Sequence, residues 1–410
     1  YTSLKTNGQD MVDAMAMLKP DAMVGHWEFT FGVDRVNEII ESMNYPFLGG
    51  NVFDTEWEEP VFKSTAFFEK GGVKVAVIGQ HFPYTPIANP RYMVPQWSFG
   101  IRPETVQKNV NAARDAGAEI VVLLSHNGFD VDQKLATVVT GIDVILTGHT
   151  HDAVPQALKI NKTLLLSSGS HGKYLGRIDL DVKGGEVVDY SSTLIPVFSD
   201  VITPDPEMSA HIDALRAPYE AECNRVIGRT SGLLYRRGNF NGTWDDLICQ
   251  GIIEERDVEI SLSPGFRWGT TLLPGQDITI EDLYTQTSMS YPNVYRTEMT
   301  GAQIKTILED VCDNLFNIDP FYQQGGDMVR VGGMNYTCAP KASMGNRISD
   351  LTMTKTGEKL DADRKYVVGG WASVNENVEG PAIYDLMEGF IRRKKSIDLL
   401  AQQAVKVIGL

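Results

Sequence analysis

Three short apolar runs of this chain each end in a histidine at a polar tip, and that repeated pattern restricts the fold more than any other feature of the sequence. Val144-Ile145-Leu146 leads into Gly148-His149-Thr150-His151, Val121-Val122-Leu123-Leu124 into Ser125-His126-Asn127-Gly128, and Ala22-Met23-Val24 into Gly25-His26-Trp27-Glu28. Short apolar runs bounded by turn residues read as buried strands, and in open α/β sheets the reactive groups gather beyond the carboxyl ends of the strands. Neutral imidazole is a common ligand for divalent transition metals, which makes His26, His126, His149 and His151 metal-ligand candidates. A lone H-x-H pair carries modest information; three coincident strand ends point to a cluster.

The segments between these runs have helical spacing. Gln9–Leu18, Val33–Met43, Pro103–Ala116 and Gln133–Thr140 are expected helices. Ala22–Val24, Val61–Glu69, Val73–Ile78, Ile120–Leu124, Val144–Leu146 and Leu164–Ser167 are expected strands, with a turn at Lys70-Gly71-Gly72. Helices alternating with strands give the βαβ pattern of an α/β sandwich. Arg177–Val182 and Val187–Tyr190 flank Lys183-Gly184-Gly185 as a hairpin, which predicts an antiparallel far edge. The pattern breaks at Phe198–Pro206, and a charged helix from Glu207 to about Asn224 reads as a linker. Beyond it, helices Asp245–Glu254, Gly301–Leu315 and Glu388–Lys394 mix with strands Val258–Leu262 and Tyr366–Gly369. The expected organisation is one domain over 1–198, a linker over 199–226 and a second domain over 227–410.

A chain of 410 residues is too long for one ordinary core, which agrees with two domains. With 42% hydrophobic and 22% charged residues the composition is that of a soluble globular protein, and no apolar stretch approaches the roughly 20 residues of a membrane helix. A net charge of −16 argues against non-specific attraction to nucleic acid or anionic lipid. An anionic substrate would then need local positive charge, which bound divalent ions and a few arginines can supply. Cys223, Cys249, Cys312 and Cys338 have no C-x-x-C spacing and no adjacent histidine, which excludes a zinc ribbon or a thioredoxin motif; two disulfides and four buried thiols both stay open. Tyr1-Thr2-Ser3-Leu4 has neither a basic n-region nor an apolar h-region.

Taken in order, Gly25-His26-Trp27-Glu28-Phe29, Ser125-His126-Asn127-Gly128, Gly148-His149-Thr150-His151, Gly172-Lys173-Tyr174-Leu175-Gly176-Arg177, Ser263-Pro264-Gly265-Phe266-Arg267 and Pro274-Gly275-Gln276-Asp277-Ile278-Thr279 resemble the 5'-nucleotidase branch of the calcineurin-like metallophosphoesterases. The resemblance covers nearly the whole chain. It implies a four-layer αββα metallophosphoesterase sandwich, incomplete at the N-terminus, followed by an α+β substrate-binding domain. Within that branch the chain is most similar to the SoxB thiosulfohydrolases, and the deciding residues are His26-Trp27. Nucleotidases carry Gly-Asn-His-Asp/Glu here, the Asn as metal ligand and the His as an acid or transition-state stabiliser. In this chain a histidine replaces the ligand, and an indole N–H cannot act as a general acid near neutral pH. The family also begins with Asp-x-His and a later Gly-Asp, which supply the first metal's ligands and the bridging carboxylate. No Asp-x-His occurs in this sequence, so an N-terminally truncated form that binds metal weakly by itself is expected.

The resemblance implies two divalent ions, Mn2+ by expectation, held in part by His26, His126, His149 and His151. It implies hydrolysis of the S–S bond of a cysteine-bound thiosulfonate on the sulfur-carrier protein SoxYZ, in the periplasm, by a monomer with no nucleic-acid or membrane partner. Arg267 is the expected anion clamp, with a surface ion pair as the plainer reading. Asp327 and Arg330, in the glycine-containing loop Gln324–Arg330, and His171 are further substrate-binding candidates, each with a structural reading beside it. Trp27, grouped with the catalytic candidates, either walls the entry channel for a carrier peptide or packs on the linker. His81 and His211 have no strand-end context. The alternatives are a 5'-nucleotidase or related phosphoesterase using the same two metals, and a non-catalytic binding module lacking the first metal site.

Overall fold

The computed structural model describes residues 1–236, 238–399 and 404–409. The chain divides into two compact units, Thr6–Leu215 and Tyr1–Lys5 with Arg216–Leu410. The α/β class expected from the alternating pattern holds in the first of them. Four parallel strands, Val73–Gln80, Ile120–Ser125, Val144–Thr147 and Thr163–Ser167, form the middle of a six-stranded sheet. Thr65–Lys70 and Leu158–Ile160 close its two edges antiparallel. Val121, Leu123, Ile145 and Leu165 are fully buried, which is what a sheet covered on both faces requires.

Helices Pro103–Asp115 and Phe129–Val138 are the crossovers between neighbouring parallel strands, and right-handed crossovers in one direction put both on the same face. Val106, Val110 and Ala113 of one and Val131, Leu135 and Ala136 of the other are buried there. The alternate residues of the sheet, Val122, Val144, Leu164 and Leu166, pack instead against Ile178, Leu180 and Tyr190 of the hairpin Tyr174–Lys183/Glu186–Pro196. The layers therefore run helix, sheet, sheet.

That placement corrects one expectation. The hairpin does not form the far edge of the main sheet; its strands pair with each other and lie across the sheet, because their alternating apolar residues give one face to bury. The edge is antiparallel through the three-residue strand Leu158–Ile160, which is too short to announce itself in the sequence. Other boundaries shift for local reasons. Ala22–Val24 reduces to one bridge, Met23 to Phe47. The helix expected over Gln133–Thr140 starts four residues earlier, after Gly128 at φ 111°, so that Asp130 and Asp132 fill its first turn, where acidic side chains favour the helix dipole. The charged helix from Glu207 is two helices, Pro206–Arg216 and Glu220–Cys223, because Pro218 cannot continue the first.

The second unit carries a four-stranded sheet in the order Val294–Thr300, Lys365–Trp371, Ile260–Ser263, Arg330–Gly332 and two three-stranded sheets. Helices Thr243–Arg256, Ile280–Thr287, Gly301–Phe316 and Ile383–Lys394 accompany them, and capping boxes Thr279/Asp282 and Thr300/Gln303 fix the starts of two. Ile304, Leu308 and Cys312 pack on Ile260, Leu262, Tyr366 and Val368 to make its core. All four cysteines are buried thiols, Cys312 and Cys338 lying 3.6 Å apart. Among the described residues no helix is long and apolar enough to cross a membrane.

Candidate metal centre

The parallel strands of the first unit deliver their following residues to one end of the sheet, and three imidazoles meet there. His126 directly follows the strand Ile120–Ser125, and its amide donates to the Gln80 carbonyl at 2.9 Å. Gly148 follows the neighbouring strand, and its amide donates to the Ser125 carbonyl at 2.9 Å, which sets His149 beside His126. A Cβ on Gly148 would lie 3.2 Å from His126 Nδ1, so glycine is what permits this close approach. His26 comes from the loop before the short helix Trp27–Phe31, where its amide donates to Glu28 Oε2 at 2.7 Å.

One ligating atom from each of His26, His126 and His149 lies within 4.8 Å of the others, and His26 Nδ1 is 3.1 Å from His126 Nε2. Among the described residues this group contains no carboxylate. Three convergent nitrogen donors fit one divalent ion of the zinc, manganese or cobalt kind and leave coordination positions open. Burial pushes His126 down to about 4, so it stays neutral near pH 7, the form that ligates.

His151 stands outside this trio. Its ring lies 5.6 Å from that of His171, an exposed residue. His149, His151 and His171 have φ of 78°, 63° and 59°, a left-handed region that costs non-glycine residues energy and collects at functional sites. Trp27 is half-buried, with its indole stacked on the His26 ring at 5.0 Å and 24°.

Phe82 and Asp132, which carried no sequence signal, and His81, which was expected to lie away from any strand end, support the trio. The strand from Val73 runs to Gln80, two residues beyond expectation, and this puts His81 and Phe82 at the same sheet end. Phe82 lies 4.2 Å from both the His26 and His149 rings, almost parallel to the latter. His81 is fully buried among Phe29, Phe47 and Phe62, and its Nδ1 accepts the Gly25 amide at 2.8 Å, which fixes the backbone before His26. Burial, with the nearby His126 as a second cause, pushes His81 down to about 3. Asp132 is a fully buried carboxylate on the helix Phe129–Val138, raised by burial to about 6 against hydrogen bonds from Thr147, Ser125 and Asn127.

These shifts set a pH response for the metal-free protein. His81 and His126 titrate lower folded than unfolded, so the unfolded state takes up protons first and stability falls as pH drops from 6.5 toward 4. Asp132 titrates higher folded than unfolded and offsets part of this below pH 6. With two groups against one, the loss between pH 7 and pH 5 is on the order of 2 kcal/mol. Urea midpoints in chelator at the two pH values check it; an unchanged or higher midpoint at pH 5 would contradict it.

The remaining site candidates belong to the second unit. Arg267 is half-buried between Phe266 and Trp268, whose rings stack 3.9 Å apart. Asp327 and Arg330 are buried and joined at 3.0 Å, and Arg330 also approaches Asp245 at 3.3 Å and donates to the Gly238 carbonyl at 2.7 Å. Asp245 accepts in turn from Arg236 at 2.9 Å, another buried residue, whose guanidinium faces Phe266 and Trp371 at 5.6 Å. Arg330 and Asp327 are thus engaged in an internal ion-pair network; Arg236 and Asp245 carried no motif that would have placed them there.

Residues 226–381 match the family model for the 5'-nucleotidase C-terminal domain. The trifunctional nucleotide phosphoesterase protein YfkN of Bacillus subtilis is 26% identical over 301 residues, covering 68% of this chain and 20% of that protein. The 5'-nucleotidase of Diplobatis ommata is 25% identical over 262 residues, covering 57% of this chain and 44% of that one. The chain spans about half or less of the length of these curated relatives. Among solved structures, the sulfate thiohydrolase SoxB of Thermus thermophilus, in complex with glycerol, superposes with a TM-score of 0.96 at 34% identity, covering 100% of this chain and 77% of that one. A 5'-nucleotidase precursor from Thermus thermophilus, 19% identical with a TM-score of 0.84 over 98% of this chain and 87% of that one, shares the fold.

A parallel sheet with histidines at its carboxyl ends, joined to a 5'-nucleotidase C-terminal domain, is the two-domain 5'-nucleotidase architecture. The chain belongs to the 5'-nucleotidase superfamily, as a SoxB-like member of it.

Proposed function

We propose that this protein is a metal-dependent hydrolase of the thiosulfohydrolase type, which cleaves the S–S bond of a cysteine-bound thiosulfonate on a sulfur-carrier protein. The observation that carries this reading is His26-Trp27 at the trio: an imidazole ligand beside an indole, where a nucleotidase has an asparagine beside an acidic histidine. The likeness to the Thermus thermophilus SoxB supports it.

His26, His126 and His149 would hold one divalent ion, Mn2+ in our reading, and His151 is assigned to a second. A divalent ion so bound acidifies a coordinated water and polarises an oxygen of the electrophile. The chain's own residues do the rest. Phe82 and the Trp27 indole both pack on the His26 ring, which orients its nitrogen. Trp27 supplies no proton, and none is needed: attack at the sulfonate sulfur breaks its bond to the neighbouring sulfur, which leaves with the electron pair as a persulfide, a good leaving group. Water supplies the new oxygen, and the products are sulfate and carrier persulfide. Arg267 is proposed as the group that binds the sulfonate, since guanidinium offers two parallel donors to such an anion. The carrier is SoxYZ and the location periplasmic on this reading.

The test compares sulfate release from a thiosulfonated carrier with phosphate release from AMP, using the full-length gene product supplied with Mn2+. Sulfate release well above phosphate release is expected. The curated relatives named as 5'-nucleotidases favour the reverse, and a vigorous AMP hydrolysis with no sulfate would establish that reading instead.

A further inference from the structure

We infer that Asp132 is a positioning residue that locks His126 and His149 into one ligand geometry by tying together the two loops that carry them. The inference rests on the reading that the imidazole trio binds a divalent ion, and not on the identity of the substrate. Asp132 Oδ1 accepts from Asn127 Nδ2 at 2.9 Å, and Oδ2 accepts from Thr147 Oγ1 at 2.5 Å. The Ser125 hydroxyl bonds to the same carboxylate and also accepts the Asn127 amide at 3.1 Å. Ser125 and Asn127 bracket His126, and Thr147 lies two residues before His149. One buried carboxylate therefore reaches the residue before His126, the residue after it and the strand end leading to His149.

The chain puts it there by register. Gly128, at φ 111°, turns the backbone directly into a helix, and the first turn of that helix brings position 132 back to the sheet end it has just left. Asp132, Ser125 and Asn127 are all almost wholly buried, so no water competes for these bonds. A second tie runs in parallel, from the Phe129 amide to Thr150 Oγ1 at 3.0 Å, but it joins the loops beyond the histidines. Removing the carboxylate leaves three buried donors to rearrange, and the cheapest rearrangement lets the two loops part.

Cobalt(II) titration of the full-length protein, followed by calorimetry and by the visible d–d bands of bound cobalt, tests this. Asp132→Ala is expected to bind cobalt about 10- to 100-fold more weakly, the range typical of an outer-shell partner, with shifted bands. Asp132→Asn is expected to stay within about threefold of wild type, because its carboxamide oxygen still accepts from Asn127 while its nitrogen donates to the Thr147 hydroxyl, which can reverse its role. Thr147→Val, a smaller change that keeps shape, tests the His149 arm alone if the alanine variant does not fold, and is expected to weaken binding several-fold. Wild-type affinity and unshifted bands in folded Asp132→Ala or Thr147→Val, with only thermal stability lowered, would overturn the inference. Failure of the wild-type protein itself to bind cobalt would overturn the metal reading and the inference with it, and is distinguished by occurring before any substitution.

Discussion

Replacing His149 with alanine is expected to weaken divalent-metal binding by more than about 100-fold, beyond the range for outer-shell partners, and to abolish hydrolysis. The trio offers three nitrogens and, among the described residues, no carboxylate to compensate, so its loss leaves two donors. Those two are His26 and His126, whose nitrogens lie 3.1 Å apart. With no ion between them one must donate a proton to the other, and that proton competes with metal. His149 also stacks on Phe82, whose ring lies 4.2 Å from that of His26, so the loss loosens a second ligand as well. His151→Ala is the instructive comparison, because His151 lies outside the trio and its removal should affect the ion held there far less. Calorimetric titration with Mn2+ checks both; binding by His149→Ala within threefold of wild type would contradict the assignment.

The second large effect lies in the C-terminal unit. Asp245→Asn is expected to destabilise that unit by about 3–5 kcal/mol, the cost of leaving buried charges uncompensated. Asp245 accepts from Arg236 with one oxygen and approaches Arg330 with the other, and all three side chains are at most 1% exposed. Burial already works against the charged form of Arg236, and Asp245 is the chief group opposing it. An asparagine keeps the shape and removes the charge, which leaves Arg236 without this ion pair and Arg330 paired with Asp327. Denaturant unfolding followed by tryptophan fluorescence reads the change, since Trp268 and Trp371 lie within 6.0 Å of the Arg236 guanidinium. A loss below 1 kcal/mol would mean that the network is not what holds this region together.

Much of the first unit was legible because its signals are local. A strand buried on both faces must be a short apolar run, and the residues after each parallel strand must emerge at one end of the sheet; those two facts place His126 and His149 on common ground, while His26 arrives from a loop that follows a single bridge at Met23. Adjacency misleads at His149 and His151. They are two residues apart, yet left-handed backbone at both turns His149 to the trio and His151 toward His171. The expectation that His81 has no strand-end context fails because the strand before it runs on through Gly79 and Gln80, residues that do not look like buried strand. Gly79 is there because a Cβ would lie 2.3 Å from the Leu48 carbonyl oxygen. Asp132 and Asp245 escaped for another reason: a single acidic residue on a helix reads as solvent-facing, and only the packed structure reveals which ones are buried with partners. Pro218, by contrast, was visible in the sequence and breaks the helix as its ring requires.

The most direct test of the proposed chemistry is hydrolysis of a thiosulfonated carrier in heavy-oxygen water, using the metal-loaded full-length protein and mass analysis of both products. Attack at the sulfonate sulfur puts a single solvent oxygen into the released sulfate and none into the carrier persulfide, and that labelling is expected to disappear in His149→Ala. Unlabelled sulfate, or labelled phosphate from AMP with no sulfate at all, would contradict it.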